Sequence, residues 1–278
     1  MSYTAEISRS NPSCFLFLVD RSGSMSEPFA GHQNMRKCDS VADAINKLVH
    51  NLILKCARGE GVRHFYDVGV IGYGQEVTPA FSGPLAGRKL ASIGEVAAAP
   101  ARVEERTRSV PDGKGGTLQR TVKFPIWFEP VAKGMTPMGQ ALDMAREWLS
   151  EWVVSHPDSH PPIVINITDG EATDSGPINQ GEALRALATN DGNTLLFNCH
   201  ISSRVESPIL FPQNDAGLPD ELARTLFAVS SELPEPIRRM AQVEHREVSE
   251  HARGFAFNAD LVELIRFLDI GTRAGNLR

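Results

Sequence analysis

Cys14-Phe15-Leu16-Phe17-Leu18-Val19 is an unbroken apolar run that stops at a carboxylate, Asp20. A run without alternation is what a strand buried on both faces of a parallel sheet requires, so this segment is assigned as the central strand. From Asp39 onward the pattern changes. Val41, Ala44, Ile45, Leu48, Val49, Leu52 and Ile53 recur at intervals of three and four, which predicts an amphipathic helix with Asp39 or Ser40 capping its start. The β-branched and aromatic stretch Tyr66–Tyr73 predicts a second strand. Helical spacing returns over 137–154, with Pro137 in the first turn, where its missing N–H costs nothing. Ile163-Val164-Ile165-Asn166-Ile167-Thr168 is another buried strand, again followed by a carboxylate, Asp169. Helices over 180–188, 219–229 and 261–268, with strands over 194–201 and at Gly254-Phe255-Ala256-Phe257, complete the alternation.

Strands alternating with helices predict an α/β fold: a doubly wound, mostly parallel sheet with right-handed crossovers and helices on both faces. Between residues 83 and 130 the periodicity weakens and Gly and Pro become frequent. That stretch is read as an inserted, hairpin-bearing loop, with a turn at Lys114-Gly115-Gly116 leading to a strand over 121–128. The 278 residues are expected to form one domain, with a core over 13–272 and the insertion over 83–130.

Composition narrows the functional classes. Hydrophobic residues at 41% and charged residues at 22% are ordinary for a globular chain. No apolar run approaches the roughly 18 residues of a membrane span. The opening residues lack the basic, apolar, small-residue progression of a secretory signal, so a cytoplasmic protein is expected. Cys14, Cys38, Cys56 and Cys199 lie far apart in apolar segments and are expected to be buried thiols. A net charge of −6 argues against a nucleic-acid surface. The basic stretch over 102–120 is interleaved with Glu104, Glu105 and Asp112, which is the pattern of a solvated face.

Ligands of open α/β sheets sit beyond the carboxyl ends of the strands, so the residues that follow each buried strand matter most. There the chain places Asp20-Arg21-Ser22-Gly23-Ser24-Met25, Gly134-Met135-Thr136-Pro137-Met138 and Thr168-Asp169-Gly170-Glu171. Carboxylate and hydroxyl oxygens of this kind suit a hard cation, Mg²⁺ foremost, with Mn²⁺ or Ca²⁺ as alternatives.

Asp20-x-Ser22-x-Ser24 with a later Thr136 and a later Asp169 resembles the five-residue metal-ion-dependent adhesion site of von Willebrand factor A (VWA) domains. The resemblance implies that Ser22 and Ser24 bind the metal directly. It implies that Thr136 binds directly or through water, and that Asp20 and Asp169 supply charge, one or both through water. A glutamate or aspartate from a protein partner would then complete the shell. DxSGSM, GMTPMGQAL and TDGEATD in that order are most similar to bacterial intracellular VWA proteins. Those often accompany phosphatases, kinases or MoxR-type AAA ATPases in stress or defence gene sets, which implies an adaptor with such a partner.

Other features have plainer readings. Glu171 and Asp174 are taken as solvated or capping residues. The eight histidines show no zinc-binding spacing, and Trp127, Trp148 and Trp152 read as packing residues. Arg21 either attracts a carboxylate beside the metal or is simply solvated. Two alternatives to an adhesion role stand: a Mg²⁺-dependent phosphoester or ester hydrolase, and a passive scaffold braced by a structural metal. The first lacks a phosphate loop, a GxSxG elbow and a nucleophile paired with a base.

Overall fold

The computed structural model describes residues 3–29, 32–59, 61–111, 116–174, 176–202, 207–245 and 248–272. In chain order the principal elements begin with β1 (Ser13–Asp20), α1 (Lys37–Cys56), β2 (Tyr66–Tyr73), β3 (Val77–Pro79), β4 (Ala91–Ser92) and α2 (Ile93–Ala98). A hairpin, β5 (Arg102–Pro111) and β6 (Thr117–Ile126), is followed by α3 (Met138–Ser155), β7 (Ile163–Thr168), α4 (Pro177–Arg185) and β8 (Leu195–Ile201). The chain continues with β9 (Ile209–Leu210), α5 (Glu221–Val229), α6 (Glu235–Glu244), β10 (Phe255–Ala259) and α7 (Leu261–Gly271).

The central sheet runs β9-β10-β8-β7-β1-β2-β3, with β4 also paired to β2. Strands β10, β8, β7, β1 and β2 are mutually parallel, and β9, β3 and β4 join them antiparallel. Every residue of β1 is buried, because both faces are covered. Phe15, Phe17 and Val19 pack into one core with α1 and α7, and Cys14, Leu16 and Leu18 into the other with α3 and α5. That two-sided burial is why the strand reads as a continuous apolar run. All four cysteines are buried and free. Among the described residues no helix is long and apolar enough to cross a membrane.

Beneath the carboxyl ends of the strands lies a buried row of polar side chains. Tyr73 Oη donates to Asn166 Oδ1 at 2.7 Å, Asn166 Nδ2 to Asn198 Oδ1 at 2.9 Å, and Asn198 Nδ2 to Ser230 Oγ at 2.9 Å. Each member is satisfied by the next, so the row fixes the lateral register of β2, β7 and β8 below the loops.

The fold class agrees with the sequence pattern, and the differences are local. Helix α1 begins at Lys37 rather than near Asp39, and its N-cap, Arg36, makes no side-chain capping bond. Helix α4 starts at Pro177, behind Gly176 in a left-handed conformation, and so lies earlier than the expected 180–188. Helix α6 was not anticipated. Only Ile237 and Ala241 of its apolar residues are fully buried, too few to print a helical stripe.

The insertion does hold a hairpin, paired from Arg102↔Ile126 to Pro111↔Thr117. Its expected turn, Lys114-Gly115-Gly116, lies outside the described residues apart from Gly116. Strand β6 begins at Thr117, four residues before the expected start, because most of its side chains are exposed and no alternation marks it. At the base of the insertion, the buried Asn46 of α1 donates to Phe128 O at 2.8 Å and accepts from Trp127 N at 2.8 Å and Phe128 N at 3.1 Å. Asn46→Leu keeps the volume but strands those three backbone groups. It should destabilise the protein by about 2 kcal/mol, read from urea unfolding. Unchanged stability would mean that the insertion is held by its apolar contacts alone.

Candidate metal centre

Asp20 closes β1 with its side chain fully buried. Its Oδ1 accepts from Ser22 N at 2.8 Å and its Oδ2 from Thr168 Oγ1 at 2.6 Å. Burial pushes its pKa up to about 6, opposed by the hydrogen bonds from Thr168 and Ser22 and reinforced by the nearby Asp169 charge. Among the described residues no ion pair involves Asp20. Directly after it comes a single helical turn, Gly23–Ser26, with Ser22 at its N-cap. Ser22 Oγ lies 3.0 Å from Ser24 Oγ, and Ser24 Oγ donates to Asp169 Oδ1 at 2.8 Å. Four of the five expected residues therefore form one connected cluster.

Thr136 comes from the loop that faces them. Gly134, at φ +95°, accepts from Gly23 N at 3.0 Å, tying this loop to the serine turn. Thr136 N donates to Thr173 Oγ1 at 3.0 Å, and Thr173 N to Thr136 O at 2.9 Å, tying it to the loop after β7. Its hydroxyl is directed at that same loop: a methyl placed on Gly170 would lie 3.9 Å from Thr136 Oγ1. Among the described residues that hydroxyl has no hydrogen-bond partner. Asp174 is a cap, its carboxylate accepting from Gly139 N at 3.0 Å and Gln140 N at 2.9 Å at the start of α3. In doing so it anchors the helix that follows Thr136.

Two participants, Lys37 and Glu27, escape the sequence reading, and a third, Thr168, has a place in a cluster there but no role of its own. Thr168 braces Asp20. Lys37, whose side chain is 4% exposed, places its ammonium 2.6 Å from Asp169 Oδ2, and Glu27 meets that ammonium at 3.0 Å. Lys37 carries one signal in the chain, the pair Arg36-Lys37 directly ahead of a helix that starts two residues earlier than its spacing predicts. Arg21 follows neither expected role. Its guanidinium lies over the Phe128 ring, 5.0 Å from the centroid, and donates to Ala80 O at 3.4 Å, so it packs under the insertion. Burial lowers its pKa to about 10. The tryptophans are all buried, as packing residues should be.

The residues fit a hard divalent ion. The donors are hydroxyl and carboxylate oxygens, and among the described residues the Thr136 hydroxyl lacks a partner and the buried Asp20 charge is met only by neutral donors. Among the described residues no group of three or more His, Cys, Asp or Glu is placed so as to hold a metal ion. A centre built on two carboxylates and three hydroxyls would form no such group.

No family model and no curated protein sequence matches the chain. Solved structures do. The proximal thread matrix protein 1 of the mussel byssus is 15% identical over 95% of this chain and 48% of its own, with a TM-score of 0.51. A structure of the same protein described with a zinc-occupied MIDAS motif is 13% identical over 96% of this chain and 47% of its own, at a TM-score of 0.49. The vWF domain of the type V pili tip protein Mfa5 from Porphyromonas gingivalis is 11% identical over 96% and 97%, at 0.47. The chain spans about half the length of the mussel protein. At such identities the likeness is one of fold, a doubly wound sheet of the VWA and Rossmann-like kind.

Proposed function

We propose that this chain is a metal-dependent protein-interaction module of the VWA type, holding a divalent cation through a complete adhesion site and using it to bind a carboxylate of a partner. The observation that supports this most directly is the chain of contacts Ser22 to Ser24 to Asp169 above the buried Asp20, with the Thr136 hydroxyl on the facing loop left without a partner among the described residues. Ser22, Ser24 and Thr136 would hold the ion by their hydroxyls, while Asp20 and Asp169 would supply charge. A bound divalent cation would supply electrostatic attraction for an anion. Neutral hydroxyls offset none of its charge, so the centre stays electrophilic towards an acidic group.

The remaining residues act by positioning. Thr168 and Ser22 N orient Asp20, Asp174 and Thr173 set the Thr136 loop, and Gly23 N with Gly134 O closes the serine turn against it. No reaction is assigned to this geometry: Ser22 Oγ and Ser24 Oγ contact each other and Asp169, and among the described residues no histidine or lysine base hydrogen-bonds either hydroxyl. In this reading Mg²⁺ is the resident ion, with Mn²⁺ or Ca²⁺ as alternatives. The protein works as a single-domain cytoplasmic adaptor of a bacterial stress, signalling or defence assembly. Its partner presents Glu or Asp, with a phosphatase, a kinase or a MoxR-type ATPase the leading classes.

The test is a pull-down from native lysate using wild type and Thr136→Ala, each with Mg²⁺ and with chelator. A partner recovered at least about tenfold better by wild type with Mg²⁺ than under the other conditions is expected, since the lost hydroxyl contributes to a site of few ligands. Equal recovery everywhere would reject the metal-bridged mode. Hydrolysis of a generic phosphoester by wild type, lost in Thr136→Ala, would replace the interaction reading with an enzymatic one.

A further inference from the structure

Lys37 stands where elementary electrostatics disfavours a cation. It is the first residue of α1, at the end of the helix where unpaired amides concentrate positive charge. Its side chain is 4% exposed, and a buried ammonium costs several kcal/mol unless it is paired. Two carboxylates pair it. Glu27 lies 3.0 Å away with its side chain 55% exposed, and Asp169 lies 2.6 Å away with its side chain 0% exposed. Charges interact more strongly where water is excluded, so Asp169 is the partner that holds Lys37 in place. The same carboxylate is shared out atom by atom: Oδ2 accepts from the Lys37 ammonium and Oδ1 from the Ser24 hydroxyl. Lys37 N also donates to Glu27 O at 2.9 Å, which anchors the lysine to the segment just after the serine turn.

We propose that Lys37 is a positioning residue of the metal centre: a built-in counter-ion that competes with the divalent cation for the charge of Asp169. The inference rests on the metal-dependent reading above. Asp20 and Asp169 together would neutralise a divalent ion; with Lys37 beside Asp169, the loaded centre keeps a surplus of about one positive charge, Glu27 being largely screened by solvent. Two consequences follow. The free protein holds its ion more weakly than its five oxygen donors alone would allow, and the loaded centre draws a carboxylate more strongly. Metal and acidic partner thereby become mutually dependent ligands.

The experiment is a titration of the full chain with Mn²⁺, following the electron paramagnetic resonance signal of the free ion. Wild type, Lys37→Met, Lys37→Gln, Lys37→Arg and Asp20→Ala are compared. Lys37→Met and Lys37→Gln should bind Mn²⁺ at least about tenfold more tightly than wild type, because removing a charge beside the site removes its repulsion. Lys37→Arg, which keeps the charge, should stay near wild type. Adding acetate to the Mn²⁺-loaded proteins should alter water-proton relaxation at lower concentration for wild type than for the neutral variants.

A lysine that merely braced Asp169 would act in the opposite direction, its loss weakening the metal. Unchanged or weaker Mn²⁺ binding in the neutral variants would therefore overturn the inference. If Lys37→Met does not fold, judged by circular dichroism, Lys37→Gln decides, since it retains a donor towards Asp169. Equal Mn²⁺ binding by wild type and Asp20→Ala would instead overturn the metal-centre reading itself.

Discussion

Asp20→Asn should lose at least about 100-fold in Mn²⁺ affinity by calorimetry, and yet unfold at a higher temperature than wild type in chelator at pH 7. The two effects share one cause. Asp20 is fully buried and its pKa is raised from 3.8 to about 6, chiefly by desolvation. A raised acid favours its neutral form in the fold. Its contribution is fully present below pH 3.8 and is lost as pH rises through about 6, so at pH 7 the metal-free fold bears the whole penalty. The shift corresponds to about 3 kcal/mol. Asparagine keeps an oxygen for Ser22 N, and Thr168 Oγ1 has a second acceptor in Gly170 O at 3.1 Å, so the amide can be housed.

A gain of roughly 5 °C in midpoint is expected in chelator at pH 7, shrinking steadily as pH falls from 6 towards 4. Saturating Mn²⁺ should reverse the order, since only wild type gains binding energy from the ion. A lower midpoint for Asp20→Asn in chelator would show that the buried charge is stabilised by its hydrogen bonds more than burial penalises it. Unaltered Mn²⁺ affinity would place the ion elsewhere.

What the sequence disclosed, and what it hid, follows from which interactions leave a periodic mark. Strands such as β1 and β7 are covered on both faces, and continuous apolar runs announce them. The residues at their carboxyl ends are legible for the same reason, because the strand ends are. Asp20, Ser22, Ser24 and Asp169 were named from position and type, and the structure brings them into contact. Lys37 was not legible. Its neighbours in space, Glu27 and Asp169, lie ten and 132 positions away, and no spacing rule links them. Asn46 was hidden inside an apolar helix face, where an amide reads as an interruption rather than as the clamp of an insertion. Thr168 reads as the end of a strand, although its hydroxyl is what orients the first carboxylate. Pairwise polar contacts across the fold, unlike burial, leave nothing periodic in the chain.

Gly134→Ala should cost about 3 kcal/mol of stability and reduce Mn²⁺ affinity more than about tenfold, without a change of fold. Gly134 adopts φ +95°, and a methyl there would lie 2.3 Å from Gln75 N, 2.5 Å from Gln75 Cα and 2.8 Å from Gly74 C. All three are backbone atoms at the end of β2, so no side chain can swing aside to relieve the overlap. The loop must move instead, and it is the loop that presents Thr136 and whose Gly134 O receives Gly23 N. Gly87→Ala separates the causes. Gly87 also has a positive φ, +79°, but a methyl there meets nothing within 4 Å, so only backbone strain of about 1 kcal/mol is incurred. If Gly134→Ala binds Mn²⁺ as Gly87→Ala does, the Thr136 loop is not part of the metal centre, and Ser22, Ser24 and the two aspartates suffice. If it alone loses the metal, the spacing between β2 and the Thr136 loop sets the geometry of the site.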